Sequence, residues 1–576
     1  MRVLLARSWS CEFSGNFLPK KEESVSSRSN PARRSVLGTG SALALGTLGA
    51  AAGAPALLAP STATAAERSG TADGLPSGLF TLGVASGDPL PDGVVLWTRL
   101  APDPLAGGGM PVRPVPVQWQ VSDTPSFTRI RKGGAALARP EQGHSVHVEV
   151  HGLEPDREYW YRFRTGRETS PAGRTRTAPA ADARVRHLRF LFASCQNWQD
   201  GYFTAWHHAA QEDVDFIAFL GDYIYESVPR DTTVRKHEGT DEPYSLTDYR
   251  NRHAQYRGDP HLQAAHAHAP WIVTLDDHEI DNNWADEIPQ DPDKQTPEAF
   301  RARRVAALRA YWEHMPLRRA SVPDGLDMQL YRSLRYGSLA TVHVLDTRQY
   351  RSDQITTLEQ SEDPARSMTG AAQERWLVRG MERSGARWNL LANQLMWAQN
   401  DRRAGPEQVF DFDNWDGYRA QRRRLLEFFG SGRTDNPVIL TGDRHATWVA
   451  DLKPDFDDPA SPVVGAELTG SSISSGGDSD PAAFHATYDP IMAESPHWKY
   501  IDNRRAYVLC DVTRERLTAS LRTVDTVWRP EGTTATTSAE FVVEAGRPGV
   551  TAASTPAPPS PMRLADRPYT VDDDQP

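Results

Sequence analysis

Phe216-Ile217-Ala218-Phe219-Leu220-Gly221-Asp222-Tyr223-Ile224-Tyr225 decides the fold. Five apolar residues run into a glycine and an aspartate, and a tyrosine follows three positions later. A short apolar run without alternation is what a strand buried on both faces looks like. Four other stretches read the same way. Phe190 to Ser194 runs into Cys195, and Trp271 to Leu275 runs into Asp276-Asp277-His278-Glu279. Trp388 to Ala392 runs into Asn393, and Val438 to Gly442 runs into Asp443-Arg444-His445. In such sheets ligands bind outside the carboxyl ends of the strands. Folding therefore gathers Cys, Asp, Tyr, His and Asn donors on one rim, an inventory suited to a multinuclear metal site.

Working outward, helical stretches such as Arg301 to Trp312 and Ala371 to Met381 alternate with these strands. Residues 185–543 thus read as one α/β catalytic domain. Ahead of it, residues 76–180 read as a small all-β domain. Val146, Val148 and Val150 alternate, as do Tyr159, Tyr161 and Phe163. Leu153 to Tyr159 resembles the corner of a fibronectin- or immunoglobulin-like sandwich, where a tyrosine hydroxyl ties back to the backbone. Pro, Ala, Ser and Asp dominate from Gly546 onward, which predicts a poorly ordered tail over 546–576.

Arg33-Arg34 precedes an uncharged Ala/Gly/Leu stretch that ends near a small-x-small site at Ala63-Thr64-Ala65. This looks like a twin-arginine export signal, so residues 1–65 are read as a leader and the product as secreted. The stretch is too weakly apolar for a favoured membrane anchor. The twin-arginine machinery is then an expected partner, and it fits a cofactor inserted before export.

The 576 residues carry a net charge of −11, which argues against specific nucleic-acid binding. Three cysteines make no disulfide framework. Cys11 falls in the leader, Cys510 reads as a small apolar residue of a core strand, and Cys195 ends its strand at the rim. Gly-x-Ser-x-Gly is absent, so nothing here suggests a serine nucleophile.

Four segments taken together, Ser194-Cys195-Gln196, Gly221 to Glu226, Asp276 to Glu279 and Leu345 to Arg351, resemble the alkaline phosphatase D branch of the calcineurin-like metallophosphoesterases. The resemblance extends to Asp443 and His445 and covers most of the chain after the leader. It implies a metallophosphoesterase β-sandwich flanked by helices. It also implies Fe3+ held by the Cys195 thiolate and Tyr225 phenolate, with His445 on the same side, and Ca2+ beside it. Asp222 would bridge the two cations. Asp277 stands where the family has a ligand Asn, with adjacent Asp276 as its rival. Asn393 and Asp443 replace imidazoles of relatives, and oxygen donors suit calcium better than zinc.

His278 is expected to act on substrate and leaving group rather than on metal. Arg348, Arg351 and Arg444 are phosphate-binding candidates, because guanidinium forks fit phosphate oxygens. An ordinary ion pair to Asp346 is the competing reading for Arg348 and Arg351, and a supporting role behind the metal ligands for Arg444. The expected activity is hydrolysis of phosphate mono- and diesters by a monomer. A phospholipase D-type diesterase is an alternative, with Trp415, Tyr418 and Trp498 as candidates for an apolar rim. A non-catalytic surface-binding protein is the alternative of another class, and intact donor positions speak against it. Asp455-Phe456-Asp457-Asp458 reads as a solvated acidic loop, since calcium-loop spacing is incomplete.

Overall fold

The structure is a computed structural model that describes residues 74–476 and 480–553. The expected leader, with Arg33 and Arg34, lies outside the described residues, as does everything from residue 554.

The short apolar runs are strands buried on both sides. Phe190 and Phe192 face one hydrophobic cluster, while Leu191 and Ala193 face another. Phe216 and Ala218 alternate with Ile217 and Phe219 in the same way. His187–Ala193, Phe216–Phe219 and Trp271–Val273 pair in parallel within a ten-stranded sheet. Ala340–Val344, Trp388–Ala392, Pro437–Thr441 and Gly465–Thr469 pair in parallel within a seven-stranded sheet. One cluster holds Phe190 and Phe216 of the first sheet together with Leu390, Val438 and Leu468 of the second. That shared core makes the two sheets a sandwich, with face-to-face burial as its driving force.

Helices cover the outer faces. Leu246–Arg257 and Pro297–His314 contribute Tyr249, Tyr256, Leu308 and Tyr311 to the cluster behind the first sheet. Gly370–Arg383 and Arg419–Gly430 contribute Leu377, Met381, Leu425 and Leu426 behind the second. Their starts are coded locally. Ser245 and Asp248 form a reciprocal capping box, and Thr296 caps a helix whose first turn carries a proline. Cys510 is buried in the sandwich core, on the strand Ala506–Thr513, and is a free thiol.

The front segment is all β, and Tyr159 does tie the corner. Its hydroxyl accepts from the backbone N–H of Glu154 at 3.0 Å. Its strands, however, are divided between two sheets. Val115–Ser122, Ile130–Ala138, Glu158–Thr165, Glu168–Thr169 and Gly173–Arg176 make a small sheet of their own. Val84–Leu90, Gly93–Arg99 and Ser145–His151 instead extend the ten-stranded sheet beyond Trp271–Val273. Gly87 allows that junction. A Cβ there would sit 2.4 Å from the Pro316 carbonyl oxygen and 2.9 Å from that of Trp271. The added strands cover what would otherwise be an open sheet edge.

The tail also departs from expectation at its start. Arg547–Ala552 is a strand paired antiparallel with Ala535–Glu544 at the sheet edge. Gly546 turns the chain at φ 83°, and Val550 is buried in the sandwich core. Pro548 hid the strand from a compositional reading, yet an edge position tolerates proline.

Candidate metal centre

Each rim residue follows a parallel strand at its carboxyl end. Cys195 follows His187–Ala193, Asp222 follows Phe216–Phe219, and Asp277 and His278 follow Trp271–Val273. Asn393 follows Trp388–Ala392, and Asp443 follows Pro437–Thr441. A parallel bridge between Ser194 and Ser472 joins the rims of the two sheets. The chain turns sharply here. Cys195, Asp222, Asp443 and His445 all hold left-handed backbone, at φ 58°, 58°, 63° and 51°. Such conformations are uncommon for residues other than glycine and gather at functional sites. Gly221 must be glycine, because at φ 115° a Cβ would lie 2.5 Å from that of Asp276.

Asp222 is the centre of the arrangement. Ligand atoms of Cys195, Asp222 and His445 lie within 4.8 Å of one another, and so do those of Asp222, Asp277 and His278. Tyr225 joins the first group, with its hydroxyl 3.0 Å from Asp222 Oδ2 and 2.9 Å from His445 Nε2. Ser475 Oγ donates to the same hydroxyl at 2.8 Å. Asn393 is fully buried, and its Nδ2 donates to the Leu395 carbonyl at 2.5 Å. Asp443 sits beside these groups, partly exposed.

The electrostatics are those of a site short of positive charge. Burial, and then the charge of Asp277, pushes the Asp222 carboxyl well up. Burial and Asp276 do the same to Asp443. Burial and Asp222 raise both the Cys195 thiol and the Tyr225 phenol. Asp276 is pushed up to about 7 by burial, against the pull of Arg348. Asp277 goes far down, because Arg348 and His278 outweigh its burial, and Glu226 and Asp413 are also lowered despite burial, by His278 and by Arg348 respectively. The Asp222 Oδ1 and Asn393 Oδ1 atoms are buried without a hydrogen-bond partner. Buried polar atoms are nearly always satisfied. Cations would satisfy both oxygens and reverse the local penalty on ionisation, so the donor set fits them.

His278 is built differently. Its Nδ1 lies 2.7 Å from Glu226 Oε2, and its ring stacks on Tyr225 with centroids 4.0 Å apart. Burial works against its proton, but Glu226 and then Asp277 and Asp222 outweigh that and hold its pKa well above normal. Glu226 is itself fixed, accepting from the backbone N–H of Asn282 at 2.8 Å.

Three expectations need correction. Arg348 and Arg351 are not available to clamp a phosphate, since both are fully buried and already engaged. Arg348 Nε donates to Asp276 Oδ1 at 2.6 Å, and its two terminal nitrogens donate to the two Asp413 oxygens at 2.9 Å. Arg351 donates to the Tyr418 hydroxyl and the Asp413 carbonyl, each at 3.0 Å. The ion pair of Arg348 is therefore with Asp276 and Asp413 rather than with Asp346, which accepts from its backbone N–H. This also separates the two rival acids, because Asp276 is tied to Arg348 while Asp277 faces Asp222 and His278. Trp415, Tyr418 and Trp498 form no apolar rim. All three are buried in the core behind the seven-stranded sheet. Arg444 remains partly exposed, with Nη1 3.4 Å from Asp411 Oδ2.

Sequence reasoning gave no role to Glu226, Asp413 or Ser475. Glu226 directly follows Tyr225, so it was within reach. Asp413 and Ser475 lie in loops without periodicity, and only tertiary structure brings them to the site.

A two-sheet sandwich with carboxylate, imidazole, phenol and thiol donors on its carboxyl rim is the framework of a phosphoester hydrolase. The family model described as PhoD-like phosphatase matches residues 190–521, and that of the PhoD-like phosphatase N-terminal domain matches residues 64–179. Alkaline phosphatase D of Bacillus subtilis (strain 168) is 48% identical over 482 residues, covering 82% of this chain and 82% of that protein. A solved structure of PhoD superimposes with a TM-score of 0.80 at 47% identity, covering 83% of this chain and 92% of that one. The chain belongs to the PhoD-like phosphatase family.

Proposed function

We propose that the protein is an exported, metal-dependent alkaline phosphatase and phosphodiesterase. In this reading Fe3+ is held by Cys195, Tyr225, Asp222 and His445. Ca2+ is held by Asp222, Asp277, Asn393 and Asp443. The observation that carries the reading is the position of Asp222, whose carboxylate lies within 4.8 Å of the Cys195 and His445 donor atoms on one side and of those of Asp277 and the proton donor His278 on the other. Soft thiolate and phenolate suit ferric iron, and carboxylate with amide oxygen suits calcium. When bound, such cations neutralise phosphoryl oxygens and lower the pKa of water.

The chain's own residues supply the rest. Arg348 holds Asp276 and Asp413 and lies 3.5 Å from Asp277 Oδ2, so it fixes the wall behind the second group. Glu226 orients the His278 ring and stabilises its proton, leaving Nε2 as the ring's remaining polar atom. His278 then donates to the leaving oxygen as charge develops there.

The thiol gives a specific test. Cys195→Ser should bleach the visible charge-transfer absorption of ferric iron and lower activity about 10²–10³-fold, the scale of losing one preorganised electrostatic partner. Cys510→Ala, deep in the sandwich core, should leave the absorption spectrum in place. A colourless, iron-free and fully active wild type would refute the iron assignment. Export rests on Arg33 and Arg34. Replacing both with Lys should leave precursor inside the cell, and undiminished secretion would sink that part of the reading.

A further inference from the structure

The segment Asp401 to Asp413 connects the buried wall of the centre with the surface. At its inner end Asp413 grips Arg348 and Arg351. At its outer end the Asp411 Oδ2 atom is shared by two guanidinium groups. Arg444 Nη1 lies 3.4 Å away and Arg402 Nη1 lies 3.9 Å away. Arg444 stands between Asp443 and His445 in the chain, so a row of charges runs outward from the centre through Arg444 and Asp411 to Arg402. Both contacts are long, single-atom ion pairs, and the one from Arg444 is a hydrogen bond at its outer limit. The Arg402 distance is too long for a hydrogen bond, and Arg444 Nε is buried without a partner. Neighbouring Arg403 differs, because it is paired with Glu407 at 2.5 Å.

We infer that Arg402 and Arg444 form an anion subsite beside the reaction centre, and that the preferred substrates are phosphate esters carrying a second anionic group. The inference rests on the proposed phosphoesterase reading of the site. One carboxylate spread over two arginines leaves most of their donors unused. The pairs are long and only part-buried, with Asp411 itself open to solvent on one side, so an incoming phosphate displaces its carboxylate at modest cost. Guanidinium forks match phosphate oxygens in a bidentate manner, and here one nitrogen of each fork lies within 4 Å of the same carboxylate oxygen. The protein as a whole is acidic, at −11, so this local pair is a selective feature rather than part of a basic surface.

The test compares two diesters with the same leaving group: thymidine 5′-(4-nitrophenyl phosphate), and the same compound with an added 3′-phosphate. For the wild-type holoenzyme the added phosphate should raise kcat/KM by about tenfold or more, mainly through KM, the gain expected of a charge-assisted contact. Arg402→Ala and Arg402→Gln should remove most of that ratio, and Arg402→Lys should restore part of it. Asp411→Asn should enlarge the ratio, because the competing carboxylate is gone. A merely structural role for this segment would lower both rates together and would not move the ratio in opposite directions. A wild type indifferent to the 3′-phosphate, or a ratio that survives Arg402→Ala, overturns the subsite alone. A wild type that cleaves neither diester overturns the phosphodiesterase reading and the subsite with it.

Discussion

Asp222→Ala should cost the protein both ligand groups at once. Its carboxylate is the member common to the Cys195–His445 group and the Asp277–His278 group, and it accepts from the Tyr225 hydroxyl at 3.0 Å. Removing it takes away the side chain that joins the two halves of the centre. Metal content should fall at both positions, and turnover should drop by at least about 10³-fold, the upper range for losing one preorganised electrostatic partner. Folding should survive. The apo-site concentrates carboxyls that burial and mutual repulsion push toward their neutral forms, and deleting one of them relieves that repulsion. Metal analysis alongside thermal unfolding separates the outcomes. A variant that keeps both metals and activity would remove Asp222 from the centre of the account.

His278→Ala should show the opposite pattern, with metal retained and chemistry lost. The ring is oriented by Glu226 and stacked on Tyr225, and its proton is favoured despite burial. General acid assistance is typically worth about 10²–10⁴-fold in rate. Nitrophenyl esters have good leaving groups and need little help, so their loss should be smaller than that of alkyl esters. Glu226→Gln should weaken the same preference, because a neutral amide no longer favours the imidazolium. Equal losses for both ester types, or an emptied centre in His278→Ala, would make His278 a ligand or a general phosphoryl contact.

The sandwich was legible because the strands that build it are short, apolar on both faces and each end on a polar donor. Phe216 to Tyr225 contains a strand, its turn glycine and two rim residues in ten positions. The left-handed turns at Cys195, Asp222 and Asp443 could not be read, since nothing in residue type marks a strained backbone. The arginines misled for a related reason. Arg348 and Arg351 have the chemistry of phosphate clamps, but their buried acid Asp413 lies more than sixty residues along the chain in an irregular loop. The aromatics failed similarly, because Trp415 and Tyr418 in a polar stretch read like a rim although they close a core. The strand Arg547–Ala552 was hidden by its proline and glycine, while its pairing depends on a partner strand beyond the reach of composition.

The central claim is that one cation sits among Cys195, Asp222, Tyr225 and His445 and another among Asp222, Asp277, Asn393 and Asp443. Anomalous diffraction at the iron edge and at longer wavelength, on protein purified without chelators, tests it directly. The account predicts an iron peak in the first group and a lighter cation in the second, both lost on chelation together with phosphoesterase activity. Fully active protein with no anomalous peak at either position would contradict it.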